Sequence, residues 1–134
     1  MYLLGYDIGS SSVKTALVDA ETQEVIDVVK YPEQEMEIIS RQKGWAEQQP
    51  ELWWRYLCLG TQRILEKNNI DPSSVESIGI SYQMHGLVTV DEELQVLRPA
   101  IIWCDSRAVS IGNRAFEKMG SEYCLENYQN SPGN

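Results

Sequence analysis

Three apolar runs with strand patterning precede the first helical segment, and the connections between them are too short for anything but hairpins. Tyr2 to Ile8 reads as a buried strand. From Ser12 to Asp19 the alternation is clear, with Val13, Thr15 and Leu17 on one face and Lys14, Ala16 and Val18 on the other. After a turn-like Asp19-Ala20-Glu21-Thr22-Gln23, the run Val25-Ile26-Asp27-Val28-Val29 supplies a third, β-branched strand. Parallel neighbours would need a crossover of about a dozen residues. The chain therefore starts as an antiparallel meander.

Residues 31–49 are irregular and polar, ending in Gly44-Trp45-Ala46-Glu47-Gln48-Gln49-Pro50. Pro50 suits the first turn of a helix, and Trp53, Trp54, Leu57, Thr61, Ile64 and Leu65 then fall on one face at helical spacing. That spacing places both tryptophans in the core rather than against a cofactor. The helix frays near Asn68-Asn69, and Asp71-Pro72-Ser73 is a turn. Ser77-Ile78-Gly79-Ile80-Ser81 follows as a strand, parallel to the first because a helix intervenes. Leu87 to Val90 and Pro99 to Trp103 are strand-like, joined by a polar turn at Asp91-Glu92-Glu93. Asp105 or Ser106 can cap a last helix with the apolar face Ala108, Ile111, Ala115, Phe116 and Met119, closed by Gly120. Residues 127–134 carry no core-forming pattern. A βββ-α-β order with a further helix is the opening of an α/β, ribonuclease H-like layer, the mixed sheet of the actin, hexokinase and heat-shock ATPase group. Such a pattern speaks to fold and leaves function open.

A chain of 134 residues is one domain long, and 43% hydrophobic with 23% charged residues is the balance of a globular protein. The formal net charge of −9 argues against a general nucleic-acid binder. It does not argue against a nucleotide site, where one Mg²⁺ and a local lysine dominate the field. Cys58, Cys104 and Cys124 are widely spaced and form no metal-binding cluster, which fits a reduced, cytoplasmic protein. Only Met1 to Leu4 precede the first glycine, too few for a signal peptide, and no apolar run approaches the ~20 residues that span a bilayer.

The first candidate site is the bend Asp7-Ile8-Gly9-Ser10-Ser11-Ser12-Val13-Lys14. It gathers a carboxylate, backbone N–H groups, hydroxyls and a cation, as a polyphosphate with its Mg²⁺ requires. Asp7 would organise Mg²⁺ or its waters, Ser10 and Ser11 would bond phosphate oxygens, and Gly9 would allow close approach. The plainer alternative is a strand ending in Asp-x-Gly for turn reasons, with Lys14 in solvent. The second is Gln83-Met84-His85-Gly86 at a strand exit, where ligands of α/β sheets gather. His85 suits adjacent sugar hydroxyls and Met84 an adaptable apolar wall; on the residues alone, a turn histidine beside a buried methionine is the preferred account. The third is Ile102-Trp103-Cys104-Asp105-Ser106-Arg107, in which Trp103 covers a sugar face or, equally, belongs to the core with Asp105 as a cap paired to Arg107.

Taken together, Tyr6 to Lys14, Gly44 to Pro50, Gly79 to Gly86 and Arg98 to Arg107 resemble the N-terminal domain of the FGGY carbohydrate kinases in content, order and spacing, over essentially the whole chain. Met84-His85-Gly86 resembles the bacterial xylulokinase branch; glycerol kinases place an arginine and a glutamate there. The resemblance implies that Asp7 supports the Mg²⁺–ATP phosphates, that Gly9, Ser10, Ser11 and Lys14 form the first phosphate loop, that Met84 and His85 contact a ketose, and that Trp103 walls the sugar. It implies ATP and Mg²⁺ as cofactors and, for the complete enzyme, D-xylulose + ATP giving D-xylulose 5-phosphate + ADP. The alternatives are another FGGY kinase, acting on ribulose, a deoxyketose or a polyol, or a non-catalytic sugar- or nucleotide-binding module. It further implies that residues 1–134 are the unfinished first part of the first domain, without the second, actin-like domain and without the general base, since Asp91 and Asp105 match no such motif. An unfinished layer leaves a sheet edge bare, so a homodimer is expected.

Overall fold

The computed structural model describes residues 1–129 and Pro132; residues 130, 131, 133 and 134 of the expected patternless tail lie outside the described residues. The expected meander forms, with β1 (Tyr2–Ile8), β2 (Val13–Asp19) and β3 (Val25–Tyr31) antiparallel in sequence. A two-residue β4 (Glu47–Gln48) precedes α1 (Pro50–Asn68), and β5 (Val75–Tyr82) returns parallel to β1, giving the sheet order β3-β2-β1-β5. This is the mixed sheet of a ribonuclease H-like layer, in partial form.

Alternation decides which face is filled. Val13, Thr15 and Leu17 are buried at 1%, 0% and 0% exposure, as their period-2 spacing requires. Leu17 meets the face of α1 that carries Ile64 and Leu65, and with Leu4 and Tyr6 these form the core. Burying a Leu or Ile side chain of this kind contributes about 1.5–3 kcal/mol. Pro50 opens α1, as its fixed φ favours, and Asn69 closes it in the left-handed conformation, its N–H bonding back to Glu66 and Leu65 carbonyls. α1 approaches β2 closely at Gly60, where a Cβ would lie 2.4 Å from Thr15 Oγ1.

Several expectations are corrected. Trp54 is 69% exposed rather than core, because it lies at the edge of the helix face beyond the reach of the three-stranded meander. The strand-like stretches 87–90 and 99–103 shrink to single bridges and a two-residue β6 (Ala100–Ile101) paired with β4, since their backbone groups bond to loop partners instead. α2 (Val109–Met119) begins after Ala108, with neither Asp105 nor Ser106 as cap: the Asp105 carboxylate is taken by the Ala46 N–H and Arg107, and the Ser106 hydroxyl donates to the Gly44 carbonyl. Gly120 does close α2, and α3 (Ser121–Tyr128) follows directly, running two residues into the tail expected to be patternless and anchored by the buried Cys124. Ile111, on the expected apolar face of α2, is 61% exposed.

β5 explains the exposed apolar surface. Its residues Ile78, Ile80 and Tyr82 pair laterally with Leu4, Tyr6 and Ile8, so they point to the α1 side. α1 lies mainly over β2 and β3, leaving these three side chains bare. The outer edge of β5 has no strand partner among the described residues.

Candidate functional site

The β1–β2 bend is a tight loop whose ends are fixed by the register Asp7↔Lys14 and Ile8↔Val13. Direct cross-strand pairing places the Lys14 ammonium 2.8 Å from the Asp7 carboxylate, both half-exposed. They open on the sheet face away from α1, over a shallow groove of about 500 Å³ shared with Gly5, Gly79 and Ser81. Inside the loop the Gly9 N–H bonds the Ser12 carbonyl at 3.0 Å, and a Cβ on Gly9 would crowd that oxygen at 3.2 Å. The loop thus keeps its backbone close-wound with Ser11 exposed.

Other segments hold this loop from behind. The Met36 N–H bonds the Ser11 carbonyl at 2.8 Å, and the Gln48 carboxamide donates to the Ser10 carbonyl at 2.6 Å. The Trp103 indole N–H donates to the Ser10 hydroxyl at 3.1 Å, from 93 residues away in sequence. Trp103 is 57% exposed, so it is not a core residue.

Behind Trp103 lies a buried ionic seam. Glu47, 2% exposed, accepts from the guanidiniums of Arg98 and Arg107. Arg107 also clasps Asp105 through Nε and Nη2 and stacks on the Trp45 ring at 3.8 Å. Burial pushes the Glu47 carboxyl up, and Arg107 and Arg98 together outweigh it, holding it below the usual carboxylate range. Asp105 is likewise pushed up by burial and held low by Arg107 and the Ala46 N–H. The Asp105 bonds raise the Arg107 guanidinium, against the opposing effect of burial. Sequence patterning missed Glu47 and Gln48 as site residues; the only signal was their place in the stretch Gly44 to Pro50.

At the carboxyl end of β5 the Gln83 N–H bonds the Ile8 carbonyl at 2.9 Å, setting the next turn beside the β1–β2 loop. Met84 and His85 line a cavity of about 450 Å³ with Trp53, Trp54 and Tyr82. Met84 is 66% exposed, not a buried turn methionine, and His85 takes φ 62, the left-handed region that a non-glycine residue enters at a cost. Both carboxamide atoms of Gln83 are buried on this cavity without a partner among the described residues. The structure therefore groups Asp7, Gly9, Ser10, Ser11, Lys14 and Trp103, and places Met84 and His85 in a neighbouring cavity that Trp103 does not line. Asp91 serves its own turn, accepting from the Glu93 and Gln95 N–H groups.

The donor set fits a polyphosphate: the exposed Ser11 and half-buried Ser10 at a close-wound bend, with a carboxylate and an ammonium at its base. It fits Mg²⁺ only as a water- and phosphate-held ion, since no cluster of acidic or imidazole ligands occurs among the described residues.

Residues 2–130 match the N-terminal domain of the FGGY family of carbohydrate kinases. The chain belongs to that family. A xylulose kinase of Bacillus subtilis is 36% identical over 120 residues, covering 89% of this chain and 23% of its own length. That of Escherichia coli is 33% identical, covering 80% of this chain and 21% of its own. Among solved structures, a xylulose kinase from Lactobacillus acidophilus superposes with a TM-score of 0.80 at 25% identity, covering 93% of this FGGY chain and 24% of that one. Glycerol kinase from Plasmodium falciparum superposes with a TM-score of 0.78 at 20% identity over 92% of this chain and 24% of its own, a likeness of fold. The chain spans about a quarter of the length of these relatives. Kinases of this family use ATP, and in full-length form they are phosphotransferases.

Proposed function

We propose that this chain supplies the phosphate loop and the sugar-contacting strand end of an ATP-dependent kinase acting on the terminal hydroxyl of a ketopentose, D-xylulose. One observation carries this: the parallel β1 and β5 end side by side, joined by the bond from the Gln83 N–H to the Ile8 carbonyl. The Gly9–Ser12 loop and the Met84–His85 turn thereby adjoin, as acceptor and donor sites of a phosphoryl transfer must. The xylulose kinase relatives support the choice of sugar.

In this proposal Ser10, Ser11 and the loop N–H groups orient the phosphates, while Lys14 turns from Asp7 to a phosphate oxygen. Asp7 is then freed to hold water on Mg²⁺, which when bound offsets charge on the phosphate oxygens. His85 and Gln83 hydrogen-bond sugar hydroxyls, Met84 covers an apolar carbon face, and Trp103 stays with the phosphate loop through its bond to the Ser10 hydroxyl rather than walling the sugar. Residues 1–134 form part of the first domain, with the base and the adenosine half supplied by a further domain. The chain acts in the cytoplasm, in keeping with the unpaired Cys58, Cys104 and Cys124.

The test is a titration of the 134-residue chain with D-xylulose, following the His85 ring and Met84 methyl resonances. The expected result is a shift for D-xylulose but not glycerol, lost in His85→Ala, with no sugar-dependent ADP release from Mg–ATP. No shift, or ADP release by this chain, would sink the proposal. Self-association through the bare edge of β5 is also expected, since an unpaired eight-residue strand templates pairing. A clean monomer in sedimentation at high concentration counts against it.

A further inference from the structure

We propose that Gln48 is a positioning residue that turns the phosphate loop's donors outward. Its carboxamide is 1% exposed, and its orientation is decided by its neighbours. The Trp53 indole, which can only donate, lies 3.2 Å from Gln48 Oε1. The amide nitrogen must therefore face the opposite way, where it donates to the Ser10 carbonyl at 2.6 Å and toward the Glu37 carbonyl at 3.3 Å.

That single bond sets a direction. In a trans peptide the carbonyl and the following N–H point oppositely. Holding the Ser10 oxygen back toward Gln48 therefore aims the Ser11 N–H away from the protein interior, and this N–H meets no acceptor among the described residues. The next peptide is fixed likewise, its Ser11 oxygen held by the Met36 N–H at 2.8 Å. Trp103 completes the arrangement: the Ser10 hydroxyl accepts from its indole and so presents its own hydrogen as a donor. Without Gln48 the Ser10 peptide is free to rotate and present the negative end of its dipole to an incoming anion. Gln48 itself is kept in place by its neighbour Glu47, which is locked into the seam with Arg98 and Arg107.

The inference rests on the assignment of the Gly9–Ser12 loop to a polyphosphate, so the experiment separates the two. Mg²⁺–tripolyphosphate is titrated into the 134-residue chain, with affinity by calorimetry and the site by backbone amide shifts. Gln48→Glu keeps the volume and the acceptor for Trp53 but loses the donor; Gln48→Met loses both. Wild type is expected to bind with the Ser11 amide among the most shifted. At about pH 8 both variants are expected to bind about tenfold more weakly, the worth of one charge-assisted hydrogen bond. Between about pH 8 and pH 6 Gln48→Glu recovers affinity relative to wild type at the same pH. Its buried carboxyl, raised by desolvation, takes up a proton and donates to the Ser10 carbonyl again. Gln48→Met shows no such recovery. Wild-type binding with variants unchanged, or without the pH-dependent recovery, overturns the role of Gln48 and leaves the phosphate loop standing. Absence of wild-type binding at Ser11 removes both. If neither variant keeps the wild-type circular dichroism spectrum, Gln48 is a structural residue and the proposal falls.

Discussion

Glu47→Ala is expected to lower the unfolding free energy by about 3 kcal/mol, because it leaves two guanidiniums facing a buried site without their carboxylate. Glu47 is 2% exposed and joins segments 51 and 60 residues apart, to Arg98 and Arg107 respectively. Its loss leaves the stretch before α1 tied to the stretch that carries Trp103 only by the β4–β6 pairing and the bonds of Gly44 and Ala46. Truncating the half-exposed Arg98 costs less, since water replaces part of what Glu47 supplied. Urea unfolding monitored by tryptophan fluorescence measures both, and a change below about 1 kcal/mol for Glu47→Ala would show that the seam is not stabilising. The pH dependence follows with a definite sign. Glu47 and Asp105 are both held below their ordinary range in the folded chain, so the unfolded chain binds protons first. Their contribution is fully present above the unfolded carboxylate range of about pH 4 and is lost as pH falls through the lower, folded values. Glu47→Ala should therefore show a flatter loss of stability with acid than the wild type.

Gly60→Val is expected to cost a similar amount, about 3 kcal/mol, by overpacking rather than by loss of contacts. A Cβ at Gly60 lies 2.4 Å from Thr15 Oγ1 and 3.3 Å from Thr15 Cβ, on the buried face of β2. The gain in helix propensity over glycine, about 0.5 kcal/mol, is too small to offset this. Either α1 lifts off β2 or Thr15 leaves its rotamer. Because the Thr15 hydroxyl is buried without a partner among the described residues, removing it is inexpensive. Thr15→Ala should recover at least half of the loss in a double-mutant cycle. Strict additivity of the two substitutions would show that the contact between α1 and β2 is not where the strain arises.

The meander, α1 and the parallel return of β5 were legible because their signals are local. Period-2 burial at Val13, Thr15 and Leu17, a proline at the head of α1 and an asparagine at its end each act within a few residues. The candidate loop was legible for the same reason, as carboxylate, glycine and hydroxyls sit consecutively in Asp7 to Ser12. Trp54 was misplaced because helical spacing reports a face, not how far the opposing sheet extends to cover it. Asp105 was misplaced because a carboxylate before a helix is chemically a good cap, yet Ala46 and Arg107 offered it stronger partners.

By itself, then, the sequence determined the order of the meander, α1 and β5, the family resemblance and the residues of the bend, since each follows from patterns along the chain. Tertiary structure alone decided that Glu47 and Gln48 sit directly behind the candidate loop. A two-residue strand in a polar stretch has no periodicity to detect, and its partners Ser10, Arg98 and Arg107 lie from 38 to 60 residues away. Only folding brings a buried amide against one carbonyl of the loop and a buried carboxylate between two guanidiniums. It is burial, by removing water as a competing partner, that gives those contacts their strength.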